Sequence, residues 1–497
     1  MSKPETDRFD VVVVGGGNAG FSAVHSAVEQ GAKVLLLEKA PEDAAGGNSF
    51  YTAGAFRFAF DGLTDVADLL EPDERHADSV VPAYPESAFE DDMRRVTDGK
   101  CDPVLTKILV SRSADAVRWL AGKGIQWRLM YERQAYLSDG KWVFSGGLFV
   151  GTVDGGKGLI AQHTKAALEE GVEIRYDAEV TALHLSDAAE RGVTYRDSGG
   201  AEHRIRARAV VLSAGGFESD PERRAEHLGE GWDRALVRGT PTNTGDVLDL
   251  ALAAGAAPHG DWGSCHSVAW DADGSPTGGN RELTNQLTRQ SYPIGIVVNI
   301  EGERFVDEGA DFRNYTYAKY GREILRQPQG RAFQLFDAKT RPLLRKEEYD
   351  SRPIAGAQAD SLAELAEELG IDVDGLRRTV AEFNASIVDE PFDPAVKDGR
   401  AAQVQPPKSN WAQALDTAPY YGYAVGCGIT FTFGGVHVDE SAQVLDTEGQ
   451  PIDGLYAAGE MVGGLFSGNY PGGSGLTSGA VFGRLAGAGA AKPVGNG

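Results

Sequence analysis

Three glycines near the N-terminus, Gly15, Gly17 and Gly20, carry the clearest chemical signal in the chain. They follow an apolar run, FDVVVV at 9–14, and open a helical stretch that ends at Gly31. A second apolar run, KVLLLEK, fills 33–39. This is a strand–turn–helix–strand unit of about 30 residues. In it the first glycine permits the tight turn, the second lets the backbone approach a pyrophosphate, and the third lets helix and strand pack closely. Asn18 and Ala19 open the helix, whose free N–H groups hold phosphates. Glu38 ends the second strand, where an acid accepts hydrogen bonds from an adenosine ribose, and Lys39 follows it.

NAD and FAD both suit an N-terminal unit of this kind. Two features favour FAD. Distant strand ends carry further glycines: VVLSAGGF at 210–217, with Ala214, Gly215 and Gly216, and GLYAAGE at 454–460, with Gly459 and Glu460. The segment GGNSFYTAGA at 46–55 also follows the second strand closely, a place for backbone to pass an isoalloxazine ring. It supplies Gly46, Gly47, Asn48, Ser49, Thr52 and Gly54. A helix with a glycine-rich start, NTGDVLDLALAAG, adds Thr244, Gly245 and Asp246. A last glycine loop, GGSGLTSGAVFGR, leads into a helix through Ser474, Gly475, Leu476 and Thr477. Its N–H groups would face the pyrimidine edge of a flavin and stabilise the anion formed on reduction.

The elements that must position these residues are those of an α/β protein. The 497 residues, 41% of them hydrophobic, suffice for two or three domains with sizeable cores. A net charge of −25 disfavours nucleic acid and anionic membranes as partners. No apolar run is long enough to span a membrane, and the polar, acidic start lacks a signal-peptide pattern. Three scattered cysteines argue for a reducing compartment and against a disulfide framework or a cysteine-only metal site. The expectation is a cytoplasmic protein with no metal.

The character changes near 256, where turns, arginines and aromatic residues take over. Ser361 with Glu364 predicts a capped helix, Gly370 ends it, and GLRRTVAEFN restarts the helical period. The expected architecture is a Rossmann-like FAD-binding domain interrupted by a smaller α+β capping domain. Its first part is 1–255, with a helical excursion at about 61–150. The cap is 256–405, and 406–497 returns to the first domain.

GGGNAG, GGNSFYTAGA, NTGDVLDLA, VVNIEGERFVDE and GLYAAGEMVGG together resemble the flavoprotein family of fumarate reductases and succinate dehydrogenases. GAFRFAF, GADFRNYTYAKYG and GNYPGGSGLTSGAVFGR resemble the tricarballylate dehydrogenase group within it. The resemblance implies two-electron interconversion of CH–CH and C=C beside an electron-withdrawing group, with substrate held between cap and flavin. It implies Arg313 as proton carrier, supported by Glu308 or Asp311, and Arg57 and Arg289 as carboxylate clamps. His266 matches a family histidine on the cap.

Departures are equally informative. No histidine lies in 46–55, so the FAD is expected to be non-covalent. No CxxCH exists to hold a haem, so electrons must pass to a separate acceptor: a partner protein, a quinone or oxygen. Thr430 and Phe431 stand where fumarate reductases carry a substrate-binding histidine, and Tyr470 stands where they carry an arginine. These departures speak against fumarate or succinate; the resemblance to the tricarballylate dehydrogenase group makes a small carboxylate, tricarballylate best of all, the first expectation for the substrate. Tyr470, with Tyr315 and Tyr317, keeps open a ketone or ketosteroid-type desaturation. A flavin-binding electron-transfer subunit is the reading from another class.

Overall fold

The computed structural model describes residues 7–350 and 354–492. Its main sheet is built on the β-branched run Arg8–Val14. This strand pairs in parallel with Val34–Leu37 on one side and with Glu202–Leu212 on the other. Glu173–Arg175 extends the parallel sheet at one edge and Pro451–Ala457 at the other, with Val14 level with Leu37 and Leu212. The strands therefore end together, and loops after them share one rim, the usual binding edge of an open α/β sheet. Val11, Val12, Val13, Leu35, Leu36, Val210 and Val211 are fully buried, as expected for strands covered on both faces.

The helix Asn18–Glu29 packs against the C-terminal helix Ser474–Ala491 almost backbone to backbone. A Cβ at Gly483 or Gly487 would sit 2.4 or 2.1 Å from the carbonyl oxygens of Ala19 and Ala23. This small-residue seam brings the starts of two helices, some 450 residues apart in sequence, to the same rim.

A second sheet has Tyr420–Val436 at its centre, paired with Pro258–Asp271, Ala332–Asp337, Leu236–Val237 and Gly356–Ala359. Ile296, Val298, Phe333, Leu335, Leu365, Leu376 and Phe383 form a separate core beneath it. The helix Leu362–Leu369 starts where Ser361 accepts from the Glu364 N–H and stops at Gly370 (φ +74°). The sequence alone places 406–497 in the nucleotide-binding domain; the fold makes the strand Tyr420–Val436 within it the centre of the second sheet.

The 61–150 excursion is less helical than expected. It holds the helices Glu86–Val96 and Pro103–Gly122, and also short strands that belong to two three-stranded sheets, one of them completed by Ala55–Phe56. Those strands are two to four residues long, too short to show a period-2 pattern in sequence. Asp102 caps the longer helix, accepting from the N–H groups of Val104 (2.8 Å) and Leu105 (3.0 Å).

Candidate active site

A cavity of about 230 Å³ runs from the rim of the main sheet to the underside of the second. At one end it is lined by Gly15, Gly17, Asn18, Ala19, Glu38 and Lys39; Gly47, Asn48, Ser49 and Thr52 continue it. Gly15 adopts φ +104°, and a Cβ there would lie 2.4 Å from the Ser213 carbonyl oxygen, so only glycine makes this turn. The Glu38 carboxylate is buried and accepts from the N–H groups of Gly16 (2.7 Å) and Ala40 (2.9 Å). Burial raises its pKa against the pull of those bonds and of Lys39. Lys39 reaches Asp246 (2.6 Å) and Thr244 (3.0 Å), which closes the loop Thr244–Gly245–Asp246 over that end.

Asn18 is locked by its neighbours. Its side-chain N–H donates to Leu476 O at 2.8 Å, and its Oδ1 meets His163 Nε2 at 3.1 Å. His163 in turn contacts His25, which contacts Glu170. The helices beginning at Asn18 and Ser474 both start without a cap from their N-cap glycines; the Asn18 N–H donates to Ser49 Oγ (3.0 Å) and the Ser474 N–H to Pro471 O (3.2 Å), and the positive ends of both helices face the cavity through Ala19, Gly475 and Leu476. Gly475, Leu476, Gly459, Glu460, Ala214 and Gly215 complete the lining. The glycine turn, the ribose acid and two helix starts fit an extended dinucleotide ending in a flavin.

Gly20, Gly46, Gly54, Gly216, Ser474 and Thr477, expected at the cofactor, do not line the cavity. They shape its walls instead. Gly20 lets its helix close on Gly15, and Ser474 and Thr477 bond backward to Pro471 O and Gly473 O. Gly216 leaves room for Thr432 and Glu460. The Glu460 carboxyl accepts from Thr432 and lies beside fully buried Glu218; burial and that neighbour push it well above the ordinary carboxylate range.

The far end holds His266, Thr430, Phe431, Tyr317 and Tyr470 with three guanidiniums: Arg133, Arg238 and Arg313. Arg313 donates to Gln290 Oε1 and Gln134 Oε1, both at 2.6 Å, and its Nε has no partner among the described residues. Burial, then the like charges of Arg345 and Arg133, lower its pKa to about 9. Glu308 and Asp311, the expected supports, are committed elsewhere: Glu308 to Arg304 and Asp311 to Arg95. The acid behind this cluster is Glu348, 2.9 Å from Arg133. Burial would raise it, but Arg133, Arg345 and Arg313 hold it below the usual range.

Arg238 donates to Thr430 Oγ1 at 2.9 Å and to Asn285 Oδ1. His266 stacks on Phe431 (5.2 Å, 13°) and stands edge-on to Tyr470. Both its ring nitrogens lack partners among the described residues, and burial, then Arg238, keep it neutral. Tyr317 and Tyr470 share a 2.5 Å hydrogen bond, and burial holds Tyr470 well above an ordinary phenol. Buried nitrogens without partners cost about 1–3 kcal/mol each unless a ligand satisfies them.

Two expected clamps are corrected. Arg57 is fully buried outside the cavity, donating to Gly472 O (2.8 Å), Gly146 O (2.8 Å) and Tyr84 Oη (2.7 Å). It braces the loop that carries Tyr470. Arg289 is spent on Asp271 (2.7 Å) and on the carbonyls of Gln286 and Thr288. Arg289→Ala is accordingly expected to leave Asp271 buried and unpaired and to cost about 3–5 kcal/mol of stability. Chemical denaturation of the holoprotein measures it.

Arg133 and Arg238 were not found by sequence. Arg133 sits in the four-residue helix Tyr131–Gln134, and Arg238 follows a two-residue strand. The one available cue was Arg238 just before the glycine-rich NTGD segment.

The chain matches the FAD binding domain family over residues 10–476. It is 32% identical over 496 residues to a fumarate reductase (cytochrome) of Shewanella frigidimarina, covering 98% of this chain and 77% of that protein. It is 28% identical to a urocanate reductase of Eggerthella lenta, covering 98% and 75%. Among solved structures it superposes on an open flavocytochrome c3 fumarate reductase with a TM-score of 0.74 at 28% identity, covering 98% and 79%. A 3-ketosteroid delta1-dehydrogenase from Sterolibacterium denitrificans has the same fold, with a TM-score of 0.74 at 20% identity, covering 98% and 100%.

Proposed function

Since the chain belongs to the FAD binding domain family that contains the fumarate reductases, and is an FAD-dependent enzyme of CH–CH and C=C bonds, we propose that its substrate is a small polycarboxylate. Tricarballylate, desaturated to aconitate, is the reaction we favour. The observation that carries this reading is the convergence of Arg133, Arg238 and Arg313 on one end of the cavity. Of the acids in the lining, Glu179 and Asp246 pair with Lys39 beside Glu38 at the nucleotide end, and Glu460 is engaged by Thr432. An overall charge of −25 repels an anion, so recognition must be local, and planar guanidiniums suit carboxylates.

A bound FAD, held by Gly15, Gly17, Asn18, Glu38 and the loops that follow them, would supply the two-electron hydride chemistry. The protein must hold the substrate and move the proton on the neighbouring carbon. Arg238, whose own partners are neutral, orients a carboxylate by charge-assisted hydrogen bonds, and Arg133, paired with Glu348 behind it, adds positive charge to the same end. Neutral His266 and the Tyr317–Tyr470 pair offer further donors. Arg313 takes the proton in desaturation and returns it in reduction. A guanidine is an unusual base, yet here burial and two neighbouring cations weaken its grip on the proton. Electrons then leave to a separate acceptor, a partner protein, a quinone or oxygen. Among the described residues no helix is long and apolar enough to cross a membrane.

A ketone desaturation is the second reading, favoured by the hydrogen-bonded Tyr317–Tyr470 pair, whose hydroxyls suit a carbonyl oxygen. Steady-state turnover with tricarballylate and with a 3-ketosteroid, using an artificial electron acceptor, separates the two. The FAD is expected to be non-covalent, because 46–55 offers no histidine for attachment. Acid precipitation should leave a colourless pellet and release all flavin to the supernatant.

A further inference from the structure

Away from the active site, Asp102, His259 and His437 converge on one point, each offering one ligand atom within 4.8 Å of the others. We infer that these three side chains form a binding site for one divalent transition-metal ion of the zinc type, placed where the chain enters and leaves the second sheet.

The two imidazoles lie diagonally across a strand pair, since Pro258 pairs with Val436 and His259 with Gly435. Their rings stack 4.2 Å apart at 24°. The His437 ring has no hydrogen-bond partner among the described residues, and His259 has only Asp102 Oδ2, at a long 3.3 Å. Asp102 divides its carboxylate: Oδ1 caps the helix Pro103–Gly122, and Oδ2 faces the histidines. Two imidazoles and one carboxylate oxygen match the donor preferences of zinc, nickel and cobalt, with water completing the coordination.

The place gives the site a use. His259 opens the strand Pro258–Asp271, which departs toward the second sheet. His437 ends the return of Tyr420–Val436, and its N–H donates to Ala257 O (2.9 Å). Asp102 belongs to the main body, where its own N–H donates to Gly464 O (2.8 Å). A bound ion would tie both crossings to the N-terminus of the helix Pro103–Gly122.

The test uses tag-free, FAD-loaded protein stripped with EDTA and titrated calorimetrically with ZnCl2 and, as a control, MgCl2. Wild type is expected to take up one equivalent of zinc, no magnesium, and to melt at a higher temperature with zinc. His437→Ala and His259→Gln should each lose that equivalent and the thermal shift while keeping full flavin content. Asp102→Asn retains an oxygen to cap the helix and should weaken zinc binding without loss of fold. Cobalt(II) should give a ligand-field absorption band in wild type alone. Absence of zinc uptake by wild type, or equal uptake by the histidine variants, overturns the proposal.

Discussion

Arg313→Ala retains FAD and loses turnover by several orders of magnitude. General acid–base groups contribute about 10²–10⁴-fold, and desaturation cannot finish by hydride loss alone. Arg313 lines the cavity, has a buried Nε without a partner among the described residues, and has its pKa lowered to about 9 by burial and then by Arg345 and Arg133. The sign of the pH dependence follows. Desaturation needs the neutral guanidine, so its rate rises with pH until it levels off above about 9. Reduction needs the charged form, so its rate falls over the same range. Lysine at 313 should rescue poorly, because it cannot reach Gln290 and Gln134 together with a planar fork. Steady-state rates in both directions across pH, with flavin content checked by absorbance, measure all three. Near-normal turnover with only a raised KM would make Arg313 a clamp.

Arg238→Gln should act differently, raising KM for a polycarboxylate by about ten- to a hundredfold, with a smaller fall in kcat. The loss corresponds to a charge-assisted hydrogen bond worth about 1.5–3 kcal/mol. Arg238 is held in place by Thr430 and Asn285, so its guanidinium is preorganised and its removal should not disturb Arg313. Inhibition by mono-, di- and tricarboxylates on wild type and variant gives the number of carboxylates Arg238 touches. An unchanged KM would remove it from the substrate's contacts.

The nucleotide half was legible because its signal is local. Gly15, Gly17, Gly20 and Glu38 lie within one strand–helix–strand unit, and each residue type follows from what that turn requires. The substrate end was legible only in part. Arg313, His266, Thr430 and Tyr470 do line the cavity together, though their roles rested on a family resemblance. Arg133 and Arg238 come from elements of four and two residues, with no period to mark them, and only tertiary packing sets them beside Arg313. Arg57 and Arg289 show the opposite failure. A guanidinium bracing a loop or paired with a buried Asp271 has the same sequence signature as one awaiting a substrate. Only the partners, Gly472 and Tyr84 for one and Asp271 for the other, tell them apart. The short strands of 61–150 were missed because two to four residues cannot show alternation.

Anaerobic mixing of the oxidised holoprotein with single substrates reads the chemistry without needing the electron acceptor. If three guanidiniums define the substrate end, tricarballylate bleaches the visible absorbance of the flavin in a single rapid phase, and 3-ketosteroids leave it unchanged. Bleaching by a ketosteroid, with no response to any di- or tricarboxylate, would contradict the account and move the chemistry to Tyr317 and Tyr470.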